Sequence, residues 1–457
     1  MTKIICITSG LTGILNASFE LVNRLKMEGY DLLYASPLNV KKKVECQGIP
    51  YVQLPLINSQ TQLALPDFKG FFRKVSKWLY KYKNADTLRK EVLKELMPVE
   101  FVDLIEKERP ALLIVDVELH EYIIKAYALG TPMLILSQWF SLWKRQGLPY
   151  LLHATIPGKG WRGSSWAITL SWKLVALQRN WMFFKRKVLS LGTDRRTTLL
   201  ALAKQEGFPL EYLKENNWPG PFTYSELPVI SMTAAELEFP HSPRPNLFYV
   251  GPMVAGNRKE LMEGEEVDVK LDEIFELKKS TNLRLIYCSL STMKKGDHAF
   301  LAKLVDAVKD RKDWVLILGM GGLIENTDLG KLPNNVFAFP YVPQLKVLKH
   351  ADCSLNHGGI HTINECIYFR VPMLIYSGKQ SDQNGCAARI EYHGLGIMAD
   401  KDIDSSADIE RKLERILTES TYMEKCKEMQ SECQDYKTNR ILEQIVDRYI
   451  NEEVVVL

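Results

Sequence analysis

The chain has 457 residues, of which 46% are hydrophobic and 25% charged, and its formal net charge is +4. This length exceeds what one hydrophobic core supports, so we expect two domains of roughly 200 residues each. The composition is typical of a globular protein and excludes a low-complexity chain; no apolar run reaches the roughly 20 residues of a membrane-spanning helix.

The first residues and the cysteines favour a cytoplasmic protein. The apolar run at 3–8 is too short for a signal peptide and leads into a glycine-containing turn, so we predict a first β-strand. The eight cysteines are scattered, without a CxxC pair or histidines at zinc-ligand spacing. We therefore expect free thiols in a reducing compartment, and neither disulfides nor a bound metal.

Strand-like and helix-like segments alternate along the first half of the chain. A helix is predicted at 17–28, ending at Gly29, and strands are predicted at 3–8, 31–35, 111–115 and 133–136. Strands that alternate with helices indicate a parallel sheet.

The second half repeats this alternation after a proline-rich and then acidic break. Strands are predicted at 284–289 and 315–318, with a helix from Asp297 between them and a last helix at 439–452. The predicted fold is α/β, with two doubly wound Rossmann-like domains facing each other across a cleft. The predicted layout is an N-terminal domain at 1–250, a linker at 251–270, a C-terminal domain at 271–435 and a final helical segment at 436–457, which could pack back on the first domain.

One segment of the second half points to chemistry. A short strand at 352–356 is followed by His357, two glycines and the start of a helix. Free backbone amides and the positive end of the helix dipole make such a helix start a binding site for a diphosphate. His357 could donate to a phosphate oxygen, Glu365 could accept from ribose hydroxyls, and Gln344 could reach a base or ribose.

Each part of this segment also has a purely structural interpretation. Thr362 and Glu365 have the spacing of a helix capping box, and a Gly-Gly pair is often only a turn. Only the order and spacing of the parts together favour a binding site.

Taken together, the block Tyr341-Val-Pro-Gln344, His357-Gly-Gly-Ile-His-Thr362, Glu365, Val371-Pro372 and Asp382-Gln383 resembles a family signature. The family is that of nucleotide-sugar-dependent glycosyltransferases, which includes UDP-glucosyl and UDP-glucuronosyl transferases and bacterial macrolide transferases. Its fold, called GT-B, has the two-domain arrangement predicted above. The resemblance covers most of 245–400, whereas the first domain matches only in outline.

The resemblance implies a role for each matching residue. Gln344 would contact the nucleoside, Glu365 the ribose, and Asp382 with Gln383 the sugar hydroxyls. Tyr341 stands where plant members have a tryptophan that stacks on uracil, which leaves the identity of the base open. The diphosphate would be bound by the residues of the helix start and of a second strand end: His357, Gly358, Gly359 and Thr362, with Ser291 and Thr292 on the opposite side.

The base that deprotonates the acceptor is missing from its usual position. The family has a histidine in the first loop, in a Gly-His-x-x-Pro context, and Ile14 stands there in this chain. Isoleucine cannot accept a proton, and three explanations remain open. Another residue could be the base, the acceptor could be acidic, or the chain could bind the donor without catalysis as a partner or sensor.

For the first explanation, the candidate catalytic residues are Asp116 and His120. Asp116 ends a predicted strand and matches the carboxylate that orients the family's histidine. If the chain stays extended, Asp116, Glu118 and His120 share one face. An ordinary solvated loop is the competing interpretation.

The interval 139–187 is basic and rich in tryptophan. It contains six of the nine tryptophans, and no Asp or Glu occurs between Tyr122 and Thr193. Such a sequence is typical of a lipid acceptor site or of peripheral contact with a membrane, or equally of a hydrophobic pocket with solvated cations outside it. No nucleic-acid motif accompanies it.

We therefore predict an inverting, metal-independent glycosyltransferase without a cofactor. It would move a sugar from a nucleotide diphosphate, with UDP as the expected nucleotide, to a hydrophobic or amphiphilic small molecule or lipid.

Overall fold

A computed structural model describes residues 2–57, 73–96, 99–141, 143–214, 222–242, 244–259, 265–289, 298–321 and 330–451. Within these residues the chain forms two parallel β-sheets, each flanked by helices. The prediction of two Rossmann-like α/β domains is confirmed.

The sheet of the N-terminal domain has seven described strands in the order β3-β2-β1-β4-β5-β8-β9, all parallel. Its central strands β1, β4 and β5 are almost wholly apolar and buried, as expected for a sheet covered on both faces. The described strands of this domain, including the small antiparallel pair β6-β7, are β1 (Lys3–Ile7), β2 (Asp31–Ser36), β3 (Tyr51–Gln53), β4 (Leu112–Asp116), β5 (Met133–Ser137), β6 (Leu213–Lys214), β7 (Thr223–Tyr224), β8 (Val229–Ser231) and β9 (Leu247–Tyr249).

The helices of this domain lie between these strands. Three short 3₁₀ turns occur at Trp161–Gly163, Leu210–Tyr212 and Ala235–Leu237. The α-helices are α1 (Thr12–Met27), α2 (Lys41–Glu45), α3 (Arg73–Lys83), α4 (Ala85–Glu95), α5 (Val99–Glu108), α6 (His120–Ala128), α7 (Ser165–Ser190) and α8 (Arg195–Gln205).

The sheet of the C-terminal domain has six described parallel strands in the order β12-β11-β10-β13-β14-β15. This is a doubly wound order, and its direction reverses between β10 and β13. The strands are β10 (Arg284–Ser289), β11 (Trp314–Gly319), β12 (Val336–Phe339), β13 (Cys353–Asn356), β14 (Met373–Tyr376) and β15 (Gly396–Ala399). The helices are α9 (Glu265–Thr281), α10 (His298–Val308), α11 (Gln344–Leu348), α12 (Ile360–Tyr368), α13 (Gln383–Tyr392), α14 (Ser406–Thr418), α15 (Ser420–Thr438) and α16 (Ile441–Asn451).

The predicted strands agree with these bounds to within one residue, whereas the first helix does not. Helix α1 begins at Thr12 and not at 17, so it includes Gly13 and Ile14. Ile14 is buried in the apolar layer beneath the sheet. An apolar residue at this position thus contributes to the core of the N-terminal domain.

Contacts between the two halves of the chain are extensive. Helix α16 lies against α1, where Arg24 and Glu443 form an ion pair of 2.7 Å with both side chains buried. Arg389 of α13 donates to buried Glu238 of the N-terminal domain at 2.6 Å. Buried charge pairs thus connect the N-terminal domain with both α13 and the C-terminal helix α16.

Candidate donor-binding cleft

A cleft of about 790 Å³ lies between the domains, at the carboxyl ends of both sheets. Ligands of open α/β sheets bind at such strand ends, where the strand order reverses. Side chains of both domains line the cleft, among them Thr12, Gly13, Gln138, Tyr341, Gln344, His357, Gly359, His361, Thr362, Glu365, Asp382 and Gln383.

The turn between β13 and α12 requires glycine. Gly358 has a φ of +84°, which disfavours a side chain, and its N–H donates to Oδ1 of Asn356 at 2.9 Å. A Cβ atom at Gly358 would lie 2.9 Å from the carbonyl oxygen of Gln383. The turn therefore packs directly on the start of α13, which brings Asp382 and Gln383 beside the helix start.

Helix α12 opens into the cleft. Gly359 is its N-cap and has no side chain with which to cap the first amides. Because the helix begins at Ile360, Thr362 lies inside the first turn, and the capping-box interpretation of Thr362 with Glu365 is wrong. The first-turn amides are thus placed to bind an anion.

His357 stands beside this helix start. Its Nδ1–H donates to the carbonyl oxygen of Ser289 at 3.5 Å, and a Cβ atom on Gly359 would lie 2.7 Å from its Nε2. Burial lowers the pKa of His357, so the imidazole is neutral at neutral pH. Its predicted contact with the diphosphate stays a prediction.

Gln344 and Glu365 are joined by a hydrogen bond from the Gln344 amide to the Glu365 carboxylate. The Gln344 Oε1 atom accepts from Ser289 Oγ at 2.9 Å and from Tyr287 at 3.3 Å. The other oxygen of Glu365 pairs with Arg258 at 3.0 Å, and the side chains of this pair are 8% and 5% exposed. These contacts fix the side chains of Gln344 and Glu365, which are predicted to contact the nucleoside and the ribose, before any ligand binds.

The other residues predicted to contact the donor either line the same cleft or lie outside the described residues. The side chain of Tyr341 is 66% exposed at the cleft, where a base could stack on it. Asp382 and Gln383 line the cleft near the turn, and burial raises the pKa of Asp382. Ser291 and Thr292 lie outside the described residues, two and three positions after the end of β10.

Asp116 lies below the first loop of the N-terminal domain. Its buried carboxylate accepts from the backbone N–H groups of Ser9 at 3.0 Å and Glu118 at 3.1 Å. Burial raises the pKa of Asp116, and the two N–H donors oppose this increase. The residue anchors the loop that leads to Gly13 in α1.

His120 is placed differently from the prediction. The chain turns after Asp116 and α6 begins at His120, so the expected extended face of Asp116, Glu118 and His120 is wrong. The Nδ1 atom of His120 lies 2.7 Å from the Tyr224 hydroxyl oxygen, and burial lowers the pKa of this histidine to about 3. His120 is a core residue and is not among the described residues that line the cleft.

A different histidine, His361 of α12, reaches the N-terminal domain. Its Nε2 atom lies 2.8 Å from Oε1 of Gln138, and a Cβ atom on Gly13 would lie 2.8 Å from its Cδ2. Burial and the charge of Arg258 lower the pKa of His361 to about 4. The sequence alone does not indicate this placement, and its one local signal is a histidine at the position where the family has Asn or Gly.

Arg258 and Gln138 are also functional candidates that the sequence analysis missed. Arg258 follows the predicted domain boundary, and Gln138 follows β5. Neither lies in the recognised motif, so no local pattern marks them. Among the described residues, no group of three or more His, Cys, Asp or Glu side chains is arranged to hold a metal ion.

The chain has the GT-B fold, in which two doubly wound domains face each other across a cleft. The cleft contains the N-terminus of α12, which follows two glycines, and the hydrogen-bonded pair of Gln344 and Glu365. Comparisons with known proteins agree. Residues 311–446 match the family model of the C-terminal domain of erythromycin biosynthesis protein CIII-like proteins. The chain therefore has the GT-B fold, and its C-terminal domain is similar to that of the nucleotide-sugar-dependent glycosyltransferases that the motif indicated.

Two curated relatives match over part of their length. The uncharacterised UDP-glucosyltransferase YojK of Bacillus subtilis (strain 168) is 28% identical over 184 residues, 40% of this chain and 41% of the relative. The zeaxanthin glucosyltransferase of Pantoea ananas is 26% identical over 211 residues, 46% of each chain. The chain therefore spans less than half the length of either relative.

Solved structures match over nearly the whole chain. The glycotransferase of kitacinnamycin superimposes with a TM-score of 0.67 at 18% identity, covering 98% of this chain and 99% of the other. The glycosyltransferase VinC, solved in complex with DTDP, has a TM-score of 0.59 at 17% identity and covers 98% and 100%. At these identities the similarity shows the fold.

Proposed function

We propose that the protein is an inverting, metal-independent glycosyltransferase that takes its sugar from a nucleotide diphosphate. The observation that carries this proposal is the cleft wall itself. The open amides of α12 lie beside His357, and the linked pair of Gln344 and Glu365 is held by Arg258. Together these groups are complementary to a diphosphate joined to a ribose.

In this proposal each part of the donor meets a different group of the cleft. The diphosphate lies at Gly358, Gly359 and Thr362, where the helix dipole and the amides stabilise the negative charge of the leaving group. Glu365 accepts from the ribose hydroxyls, Gln344 and Tyr341 contact the base, and Asp382 with Gln383 contact the sugar. The helix terminus supplies the positive potential that a divalent ion supplies elsewhere.

His361 is the proton acceptor that the geometry favours. If its Nε2–H donates to Oε1 of Gln138, the lone pair is on Nδ1, for which the described residues provide no hydrogen-bond partner. The ring abuts Gly13, the residue before Ile14, and so lies next to the usual position of the family's base. A neutral imidazole there could take the proton of an acceptor hydroxyl as it attacks the anomeric carbon. Attack in line with the departing diphosphate inverts that centre.

The predicted catalytic roles of Asp116 and His120 fit this arrangement less well. Asp116 is buried beneath the first loop and holds its backbone, so we propose a positioning role for it. His120 is hydrogen-bonded to Tyr224 in the core. Neither has the direct access to the cleft that His361 has.

The proposal also includes the nucleotide and the class of acceptor. UDP is the expected nucleotide because relatives such as YojK are named UDP-glucosyltransferases, and thymidine diphosphate is the competing one because VinC was solved with it.

A hydrophobic or amphiphilic acceptor is supported by the relative named for zeaxanthin. The predicted membrane contact of 139–187 belongs to this proposal, since such an acceptor is met at a bilayer surface. All eight cysteines are free thiols, which favours a cytoplasmic site.

Calorimetric titration with UDP, thymidine diphosphate and their sugar conjugates tests the donor site, with a His357→Ala variant alongside. Binding that is lost in the variant, together with diphosphate release accelerated by hydrophobic alcohols or phenols, is the expected result. Binding without turnover, under every acceptor tried, would identify a sensor or partner protein instead. If no nucleotide sugar binds to the folded chain, the assignment of the cleft is wrong.

A further inference from the structure

Helix α7 carries a row of large apolar side chains that the described part of the chain leaves exposed. The helix has 26 residues, Ser165–Ser190. Seven of its apolar side chains are between 45% and 69% exposed and follow one another at intervals of three or four residues: Trp166, Leu170, Leu174, Leu177, Trp181, Phe184 and Val188. We call this row the α7 stripe.

The α7 stripe lies on the side of the helix that faces away from the protein. At 100° per residue its members occupy an arc of about 80°, over a length of about 33 Å. The buried side chains of the helix are Ala167, Ile168, Trp172 and Phe183, and their centre is roughly opposite that arc. The helix is therefore already packed on one face, and none of the described segments covers its second apolar face.

The charges around the α7 stripe are of one sign. Lys173 and Lys187 flank it on one side and Lys185 on the other, and all three are exposed. No Asp or Glu occurs anywhere between Tyr122 and Thr193. Aromatic rings stand at both ends of the surface, with Trp161 stacked beside Trp166 at 6.5 Å and Trp181 beside Phe184 at 5.8 Å.

We propose that the α7 stripe is a membrane-docking surface that lies in the plane of an anionic lipid bilayer. An apolar face with tryptophans, bordered by lysines, is what an interfacial helix presents to headgroups and acyl chains. The lysine stems can extend so that their ammonium groups reach lipid phosphates while the apolar side chains insert. None of the described helices is long and apolar enough to cross a membrane, so the contact is peripheral.

A second copy of the chain fits this surface less well than a bilayer does. Two α7 stripes packed face to face would bring their flanking lysines together, with no acidic residue in 122–193 to neutralise them. Anionic lipid headgroups supply the missing negative charge. Charge complementarity therefore selects the bilayer.

The position of α7 relates the bilayer to the cleft. The indole N–H of Trp172 donates to the Leu148 carbonyl at 2.7 Å, so the helix packs on the segment that precedes it in the chain. That segment meets α13, where Asn384 donates to the Leu152 carbonyl at 3.1 Å. Gln383, the neighbour of Asn384, lines the donor cleft. A docked helix would thus hold the cleft close to lipid-dissolved acceptors, although the docking itself does not depend on catalysis.

Flotation of the full chain with vesicles tests the proposal. The vesicles are of pure phosphatidylcholine, or of phosphatidylcholine mixed with phosphatidylglycerol. We compare the wild-type chain with the double variant Leu177→Glu, Trp181→Glu. The matched control is Val269→Glu, Leu277→Glu, which adds the same charge at exposed apolar positions of α9. Circular dichroism and thermal melts establish that all three proteins are folded.

We expect the wild type and the control to float with anionic vesicles, and the α7 variant to partition at least about tenfold more weakly, since each replaced side chain loses its apolar transfer. Raising the ionic strength from about 0.1 M to about 1 M should weaken binding, because the Debye length falls from roughly 10 Å to 3 Å. A folded wild type that does not float, or an α7 variant that floats equally well, would overturn the proposal. A dimer that forms without vesicles and is broken by Leu177→Glu would show that the surface binds a second copy instead.

Discussion

His361 of the C-terminal domain and Gln138 of the N-terminal domain are joined across the cleft by a hydrogen bond of 2.8 Å. The bond orients an imidazole beside Gly13, and the next residue, Ile14, stands where the family usually has its histidine. The proposed proton acceptor therefore comes from the opposite domain.

Replacement of His361 by Asn should lower kcat for alcohol acceptors by about 10²–10⁴-fold, which is the usual contribution of a positioned general base. For acidic phenols the loss should be smaller, because their proton leaves more easily. Donor affinity, measured calorimetrically, separates this role from a contact with the diphosphate. A variant that loses donor affinity but keeps kcat would show that His361 only binds the donor.

Binding of a nucleotide sugar should take up a proton. Burial lowers the pKa of His357 in the free protein, so its imidazole is neutral at neutral pH and its only N–H is held by the Ser289 carbonyl. Two negative charges of the diphosphate raise the pKa of His357 in the complex and favour a second N–H on Nε2. Affinity should therefore increase as the pH falls below neutrality, by up to tenfold per pH unit for one proton taken up.

Calorimetry in buffers of different ionisation enthalpy measures this uptake. A nucleotide sugar is the right ligand because its diphosphate stays doubly charged over the range, whereas free UDP is itself protonated. The uptake should decrease in His357→Ala. Affinity that falls with decreasing pH in the wild type would contradict the assignment of His357 to the donor site.

Substitution of Glu365 by Gln should weaken nucleotide-sugar binding by about tenfold or more. The change keeps the shape of the side chain but removes the charge that strengthens its hydrogen bonds, which are worth about 1.5–3 kcal/mol each. It also removes the ion pair of residue 365 with buried Arg258, so the thermal melt must be recorded with the affinity. Glu414→Gln, which alters a half-exposed ion pair with Arg311 far from the cleft, is the matched control and should change neither.

Substitution of Gly358 by Ala should abolish donor binding. The alanine would have a left-handed φ, at a cost of about 1–2 kcal/mol, and its Cβ would lie 2.9 Å from the Gln383 carbonyl oxygen. Gly29→Ala is the control, because Gly29 has a similar φ of +89° but open space around it. In both variants the left-handed φ should lower the free energy of unfolding by that amount. Only Gly358→Ala should be destabilised further and fail to bind the donor. Equal effects would mean that the contact with Gln383 is unimportant.

The wall of the proposed donor site was largely predictable from the sequence because its signals are local. Strands and helices follow from apolar periodicity, and the helix start after β13 follows from two adjacent glycines. Gln344 and Glu365 belong to a motif of fixed spacing, and the structure joins them by a hydrogen bond. Such patterns are encoded within a few residues, so they can be read without knowing the fold.

The basic, tryptophan-rich interval could be interpreted only in part. Trp139, Trp143 and Trp172 are buried, whereas Trp161, Trp166 and Trp181 are more than 60% exposed. The amino-acid composition of the interval does not distinguish the buried tryptophans from the exposed ones. The neighbouring segments determine which face of α7 packs on the N-terminal domain, and therefore which side chains form the exposed α7 stripe.

The sequence by itself determined the two α/β domains and the elements of the donor motif. The tertiary structure decided where the candidate acid-base groups lie: His120 is hydrogen-bonded to Tyr224 in the core, and His361 is brought to Gln138, 223 positions away in the chain. The physical reason is that local structure depends on the periodicity of neighbouring residues, whereas a side chain's partners across a cleft depend on how two separately patterned domains pack together.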